Sequence, residues 1–402
     1  MANSPSGTDT EFEDVPQGEK ARIDHVADLT IVQLDRRYTK VNKPKLRGVH
    51  PKDHGCVEAL FTVSPQLPES LRVGAFSPGV TYRAAIRFSN ASTLVTPDSF
   101  EEKDGKKVPV HGSRGMAIKL YDVPGERLLP NDGEHSQDFL MINQPVFAFA
   151  NVEDYEVVSA LIAKDDANAS LFFARADPKI NPLTKAKNPP DVLARALKSL
   201  AIVREVQSLS VTPPPPMPPF TSLPFPYQAP PLSPLDNRYF SAAPFLFGKG
   251  RVMKFSAKPV NPMSGDLGDA VNNANYLREA MAKRMAEADG KDICFDFQIQ
   301  VRGLDTLAGK IATDMENMCT LWDEKAFPFV TVARITIPAQ DVATPERQKF
   351  CETLFYTPWH GLRAHRPLGG INRLRQKVYK ASATHRGCPV SPALPPAAKK
   401  GK

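Results

Sequence analysis

The chain has 402 residues, 42% of them hydrophobic, enough for one large domain or two ordinary ones with a substantial core. Its net charge of +7 is local: from Arg373 to the C-terminus there are eight Lys/Arg and no Asp/Glu, and without that tail the rest is near −1. That placement argues against a nucleic-acid partner, which needs basic residues spread over the folded body, and no apolar run reaches the length that spans a bilayer.

The N-terminal stretch MANSPSGTDTEFEDVPQGEK is polar and acidic, without the basic-then-apolar order of a secretory signal. Residues 1–25 are therefore expected to be a disordered lead-in. Short strand signals follow, each bounded by Gly, Pro, Asp or Asn: GCVEALFTV (55–63), TYRAAIRFSN (81–90) and RGMAIKLYDV (114–123). Helical periodicity then appears in EDYEVVSALIAKD (153–165) and PDVLARALKSLAIVREVQSL (190–209). The segment 211–236, VTPPPPMPPFTSLPFPYQAPPLSPLD, cannot sit in a sheet interior, because proline lacks a backbone donor and favours extended polyproline geometry. It is expected as a stiff surface insertion. Beyond it lie strands at 250–260, 292–302 and 327–340, with a helix at 273–288 between the first two. From 345 to about 380 the pattern is helical, with breaks at Pro358 and Gly369–Gly370, and 386–402 reads as a basic disordered tail. No βαβ alternation appears, so the expected class is a mainly antiparallel α+β domain over 26–385.

The five cysteines (Cys56, Cys294, Cys319, Cys351 and Cys388) are odd in number, far apart and form no C-x-x-C. That predicts neither a disulfide framework nor a zinc site, and a reducing, cytoplasmic setting.

Of the eight histidines, His50 has company. Arg47 precedes it by three, and Arg87–Asn90 and the run DFLMINQPVFAF (138–149) lie downstream. Asn143 inside that apolar run needs either a partner or a task, since a buried amide is costly alone. His54 is expected at the surface, at the entrance to a strand.

The order R-x-x-H (Arg47 to His50), then R-F-S (Arg87 to Ser89), then R-G-x-A-x-K-x-Y (Arg114 to Tyr121), then N-x-P-x-F (Asn143 to Phe147) resembles the haem catalase superfamily. The segment PWHGLRAHRPLGGINRLR is similar to that of short bacterial catalase-related proteins, and coral allene oxide synthase shares the barrel. The resemblance implies a catalase-like antiparallel β-barrel enclosing haem b, with helices packed outside. It also implies an enzyme acting on a small-molecule peroxide, in a superfamily whose larger members form oligomers. By it, His50 is the distal acid–base, Ser89 orients the ring and Asn143 is the distal amide. Arg47 and Arg87 pair with haem propionates, and Tyr155 packs on the porphyrin. Val49, before His50, matches the hydrogen-peroxide branch, whereas the hydroperoxide-isomerising branch has threonine there.

On the proximal side the resemblance implies a tyrosinate iron ligand with an arginine one helical turn before it. In CETLFYTPWHGLRAHRPLGG, alignment on LFYTP puts Thr357 at the ligand position and Thr353 at the arginine position, with Tyr356 one residue off. Glu352 would lie one turn before Tyr356 on a continuing helix. Three arrangements are open: Tyr356 as ligand, His360 or His365 in its place, or a barrel that holds haem weakly or takes another apolar ligand. Arg363, by its spacing from Tyr356, and Arg366, by its HRPLG neighbours, are the corresponding propionate arginines. An organic hydroperoxide substrate, in the manner of allene oxide synthase, and a non-catalytic haem- or lipid-binding protein are the alternative functions.

Overall fold

A computed structural model describes residues 11–39, 45–103, 105–110, 112–130, 135–174, 191–208, 231–265, 267–287, 291–388 and 390–391. Helix α1 (Glu19–Leu34) leads through a π-helical turn towards β1 (Asp53–Val63) and β2 (Thr81–Asn90). A small hairpin of β3 (Phe100–Lys103) and β4 (Lys106–Pro109) precedes β5 (Arg114–Leu120) and β6 (Gln137–Ile142). Helices α2 (Val152–Lys164), α3 (Leu171–Ala174) and α4 (Asp191–Ser208) follow. Next come β7 (Tyr239–Phe240), β8 (Phe245–Leu246), β9 (Arg251–Pro259), α5 (Tyr276–Ala286), β10 (Ile293–Gly303), α6 (Ile311–Asp314) and β11 (Val330–Ile337). The last two helices are α7 (Pro345–Thr353) and α8 (Gly370–His385).

The strands run β10-β11-β1-β2-β5-β6-β7-β9, and β9 pairs with β10 to close an antiparallel barrel. Closure leaves none of these strands as a free edge. Successive side chains point to opposite faces, so one register decides what lies inside. Ile86 faces Val57 and Ile118 across neighbouring strands, and Ile118 faces Phe139, all directed to the interior core. Phe61, Phe139, Phe255 and Phe297 fill that interior: Phe139–Phe255 and Phe61–Phe297 meet edge-to-face, Phe139–Phe297 is tilted and Phe255–Phe297 is stacked, with centroids 4.8–5.7 Å apart. The barrel is thus a packed core. The expected enclosure of a ligand inside it is corrected: the large cavity lies on the outer face.

The α+β class and the barrel with external helices are as the sequence predicts, and the strand at 81–90 has the expected bounds. Other expectations fail. Residues 11–25 are built into the fold: Phe12 is 1% exposed, Glu13 pairs with Arg366 ahead of α8, and Glu13 and Glu19 both pair with Arg373 in its first turn. Acidic composition signalled disorder only because these partners lie more than 340 residues away in sequence. The remainder of the lead-in, 211–230 of the proline-rich insertion, and most of the basic tail lie outside the described residues.

Cys56 on β1 and Cys351 on α7 form a disulfide across 295 residues, with Cα atoms 5.7 Å apart. Sequence spacing was silent on it, since barrel closure brings the pair together, and the premise of unpaired cysteines behind the reducing setting does not hold for them. Among the described residues no helix is long and apolar enough to cross a membrane.

His54 is not at the surface. It is 1% exposed, with Nε2 2.9 Å from Asn90 Oδ1, in a network that continues from Asn90 to Asp98 and Lys52. Burial lowers its pKa to about 3, so the ring is neutral. A polar side chain at a strand start is buried here because the loop carrying Asp98 folds over it.

Candidate functional site

On β2, β5 and β6 the residues that alternate with the core form one outward-facing patch. Ser89 lies beside Gly115 and Gly115 beside Ile142, while Arg87 lies beside Ala117 and Ala117 beside Leu140. Small residues at 115 and 117 keep this wall low. Helices α1, α2 and α8 cover it, and between barrel and helices is a cavity of about 380 Å³, within the range of small-molecule sites. α8 contributes an i, i+3, i+4 stripe that includes Leu374, Arg375, Val378 and Tyr379, and Arg386 lines the cavity from the position just after the helix.

His50 lines the barrel side of this cavity. Its backbone is left-handed (φ 59°), fixed by its N–H donating to the Ser92 carbonyl at 2.8 Å. Non-glycine residues rarely adopt that conformation, and such positions cluster at functional sites. The turn lays the imidazole over Gly115, where a Cβ would fall 2.4 Å from Nδ1. Nδ1 is 3.0 Å from Ser89 Oγ. If Nδ1–H donates to that hydroxyl, Nε2 is the basic nitrogen.

Arg47 and Arg87 also line the cavity, and both are buried. Arg47 Nη1 donates to Glu352 at 2.8 Å, and Nη2 donates to the carbonyls of Cys351 and Leu354 at 3.0 and 2.7 Å. Burial, with neighbouring Arg87, lowers the Arg47 pKa to about 9, which leaves it charged at neutral pH. Arg87 Nη2 stands 3.5 Å from Glu352 Oε1, and neither Nε nor Nη2 of Arg87 has a hydrogen-bond acceptor among the described residues. Glu352 is held below the usual carboxylate range: burial pushes it up, but Arg47, Arg87 and Arg386 outweigh that.

Tyr155 lines the helix side, 6.1 Å from Phe147 and 5.7 Å from Phe149 between centroids, and burial raises its phenol to about 12.

Other expected residues are placed elsewhere. Asn143 is buried behind the wall: Oδ1 accepts from Arg114 N at 2.7 Å and from Gln144 Nε2 at 2.9 Å, and Nδ2 donates to the Gly112 carbonyl at 3.3 Å. The amide on the cavity wall is the next one along, Gln144. His360 is held by Asp138 at 3.1 Å and does not line the cavity. His365 packs against Phe76 at 5.1 Å and accepts from Ala75 N at 3.1 Å; burial lowers its pKa to about 4. Arg363 is a surface partner of Glu126 at 2.7 Å, and Arg366 pairs with Glu13 at 2.5 Å.

Tyr356 does reach the cavity, but from the barrel side. α7 ends at Thr353 and Leu354 is extended, so the helix assumed between Glu352 and Tyr356 does not exist. The Tyr356 hydroxyl points at the Ala85 carbonyl, 3.4 Å away on β2, and the ring packs with Ala85, Ala117 and Leu140. Burial, with Tyr121 and Asp138, raises its pKa well above the ordinary phenol value despite Arg47 and Arg87.

The opposite wall carries what sequence reasoning missed. On α8, Arg375 Nε donates to Tyr379 Oη at 3.3 Å, and its guanidinium lies 5.2 Å from the ring centroid. Both line the cavity, as does Arg386. Arginine four before a tyrosine and another seven after it is the spacing sought around Tyr356. It stands in the sequence as Arg375, Tyr379 and Arg386.

Solved structures were compared with this geometry. A fungal catalase matches with a TM-score of 0.58 at 13% identity, covering 88% of this chain and 61% of that one. A bacterial catalase gives 0.56 at 15%, covering 90% and 61%. Catalase A from Saccharomyces cerevisiae gives 0.59 at 13%, covering 88% and 63%. The fold is that of the catalases. This catalase-fold chain spans under two thirds of the length of those enzymes. No protein-family model and no curated protein sequence matches it.

Proposed function

We propose that this catalase-fold protein is a haem-dependent, peroxide-metabolising enzyme. The observation that carries the reading is one cavity with the His50–Ser89 pair on its barrel wall and Tyr379, hydrogen-bonded by Arg375, on its helix wall. The residues fit a porphyrin dicarboxylate. The walls are largely apolar, and Arg47, Arg87 and Arg386 line the cavity together. Arginine forks suit carboxylates.

When bound, haem would supply a redox-active iron at which peroxide is reduced. Tyr379 would hold the metal, since a guanidinium against a phenol oxygen is the company a phenolate ligand needs. Tyr379 thereby takes the place for which the sequence offered Tyr356, with His360 or His365 as alternatives. Arg87 and Arg386 would hold the propionates, in place of Arg363 and Arg366. His50 would take the peroxide proton at Nε2 and return it to the departing oxygen, with Ser89 fixing the tautomer.

Hemin titration tests this. A Soret band with tyrosinate-type charge-transfer features is expected, lost in Tyr379→Phe and kept in Tyr356→Phe. His50→Ala should bind hemin but lose peroxide turnover. A colourless protein after reconstitution, or an unchanged spectrum in Tyr379→Phe, would overturn the assignment.

One observation favours a second reading, a non-catalytic haem or lipid carrier: the Asn143 amide is spent on the Arg114 and Gly112 backbone and on Gln144, and does not line the cavity. That reading expects hemin binding with turnover no higher than free hemin and no effect of His50→Ala.

A further inference from the structure

The carboxylate end of the cavity has an uneven set of charges. Arg47, Arg87 and Arg386 line it, and Glu352 is the one carboxylate that pairs with them among the described residues. Glu352 is committed chiefly to Arg47, at 2.8 Å against 3.5 Å to Arg87. Arg386 donates to the Glu352 backbone carbonyl at 2.9 Å, not to its carboxylate, and its Nε has no acceptor among the described residues. Three guanidiniums and one carboxylate leave two positive charges at the end of a largely apolar cavity.

The position of Glu352 is fixed on both sides. It follows Cys351, which is bonded to Cys56, and Cys56 is the cross-strand neighbour of Arg87. Arg47 meanwhile clamps the carbonyls of Cys351 and Leu354, the residues flanking Glu352 and the helix end. A carboxylate anchored this firmly acts as a standing counter-charge. Buried charges are tolerated when matched and costly when not, so the surplus sets how many negative charges an occupant should bring.

We propose that Glu352 is a specificity-determining residue that fixes this end of the cavity for a ligand with two carboxylates on an apolar body. This rests on the haem reading for the porphyrin probes and extends it to ligand selection. Glu352 acts through Arg47 and Arg87 and is a positioning residue.

The test is a binding series with the full-length protein and three metal-free porphyrins of similar body: protoporphyrin dimethyl ester with no carboxylate, protoporphyrin IX with two, and coproporphyrin with four. The wild type should bind protoporphyrin IX most tightly. Glu352→Gln, which keeps shape and removes charge, should raise the affinity ratio of coproporphyrin to protoporphyrin IX by about tenfold, the worth of one modest charge interaction. It should leave the ester's affinity unchanged, a readout that a purely structural role would disturb. Arg386→Gln, which keeps a donor for the Glu352 carbonyl, should lower protoporphyrin IX affinity but not ester affinity.

Parallel changes for all three porphyrins in Glu352→Gln, or no change in their ratios, would overturn the proposal while leaving the haem reading intact. If no porphyrin binds, the haem reading falls, and calorimetry with an alkylsuccinate against a fatty acid of equal chain length decides the present one. Preference for the dicarboxylate, lost in Arg386→Gln and strengthened in Glu352→Gln, sustains it; equal binding of both acids defeats it.

Discussion

Asp138→Asn probes how the segment around Tyr356 is held. Asp138 is fully buried on β6 and accepts from Lys119 Nζ at 3.0 and 3.1 Å, Ser136 Oγ at 3.1 Å and the Thr357 backbone at 3.1 Å, with His360 Nδ1 also at 3.1 Å. Its own N–H donates to the His360 carbonyl at 2.8 Å, so the carboxylate and its backbone fasten the turn 357–360 to the barrel. Asparagine preserves shape, but it removes the counter-charge of Lys119, which is itself fully buried, and offers an N–H where an acceptor is needed. Breaking a buried pair from one side costs about 3–5 kcal/mol. The folded Asp138 pKa is lowered: burial pushes it up, but Lys119 and His360 more than offset that. Its stabilisation is therefore present above the unfolded carboxylate value of about 3.9 and lost as pH falls through the lower folded value. Urea midpoints followed by circular dichroism should show the loss at pH 7 and a narrowing gap to wild type below about pH 4. Adding Lys119→Met should recover part of it, because replacing both partners avoids a stranded charge. A loss under about 1 kcal/mol at pH 7, or a double variant no better than Asp138→Asn, would refute the reasoning.

Gly115→Ala puts a methyl 2.4 Å from His50 Nδ1 and 3.0 Å from Ser89 Oγ. Hemin-loaded protein should keep its Soret band and lose turnover by about a hundredfold, as expected for a displaced catalytic group; wild-type turnover would count against the placement of His50. Cys351→Ser opens the cross-link between α7 and the barrel and should lower unfolding stability by about 2–5 kcal/mol, read from denaturant midpoints. His365 is neutral in the fold, with its pKa lowered to about 4 from 6.5. Its contribution is complete above the unfolded value and is lost as pH falls through 6.5 towards 4, by about 3 kcal/mol in all; His365→Gln should flatten that part of the stability profile.

Where side chains alternate over a long run, as at 81–90, the sequence declared both strand and face, and the His50–Ser89 contact follows from two such segments pairing through β1 and β2. The proximal side was harder to read. Tyr356 sits where a helix has just ended, and what fixes the turn beyond it is a carboxylate 219 residues earlier in the chain. The Arg375–Tyr379 spacing stands in the sequence, but nothing local says which wall a helix will face. Asn143 and Gln144 differ by one place, and only the strand's end decides which amide turns outward. Glu13, His54 and Cys56 share one reason for being illegible: the partners that define them, at the start of α8, in the loop carrying Asp98 and on α7, come from other parts of the fold.

The cavity's walls come from distant parts of the chain. α1 precedes the barrel strands, and α8, with Tyr379, follows all of them, with Arg386 just beyond it. During synthesis the barrel cannot close until β10 and β11 have left the ribosome, and the pocket gains its second wall later still. Any occupant enclosed by both walls is therefore taken up only once α8 has been made.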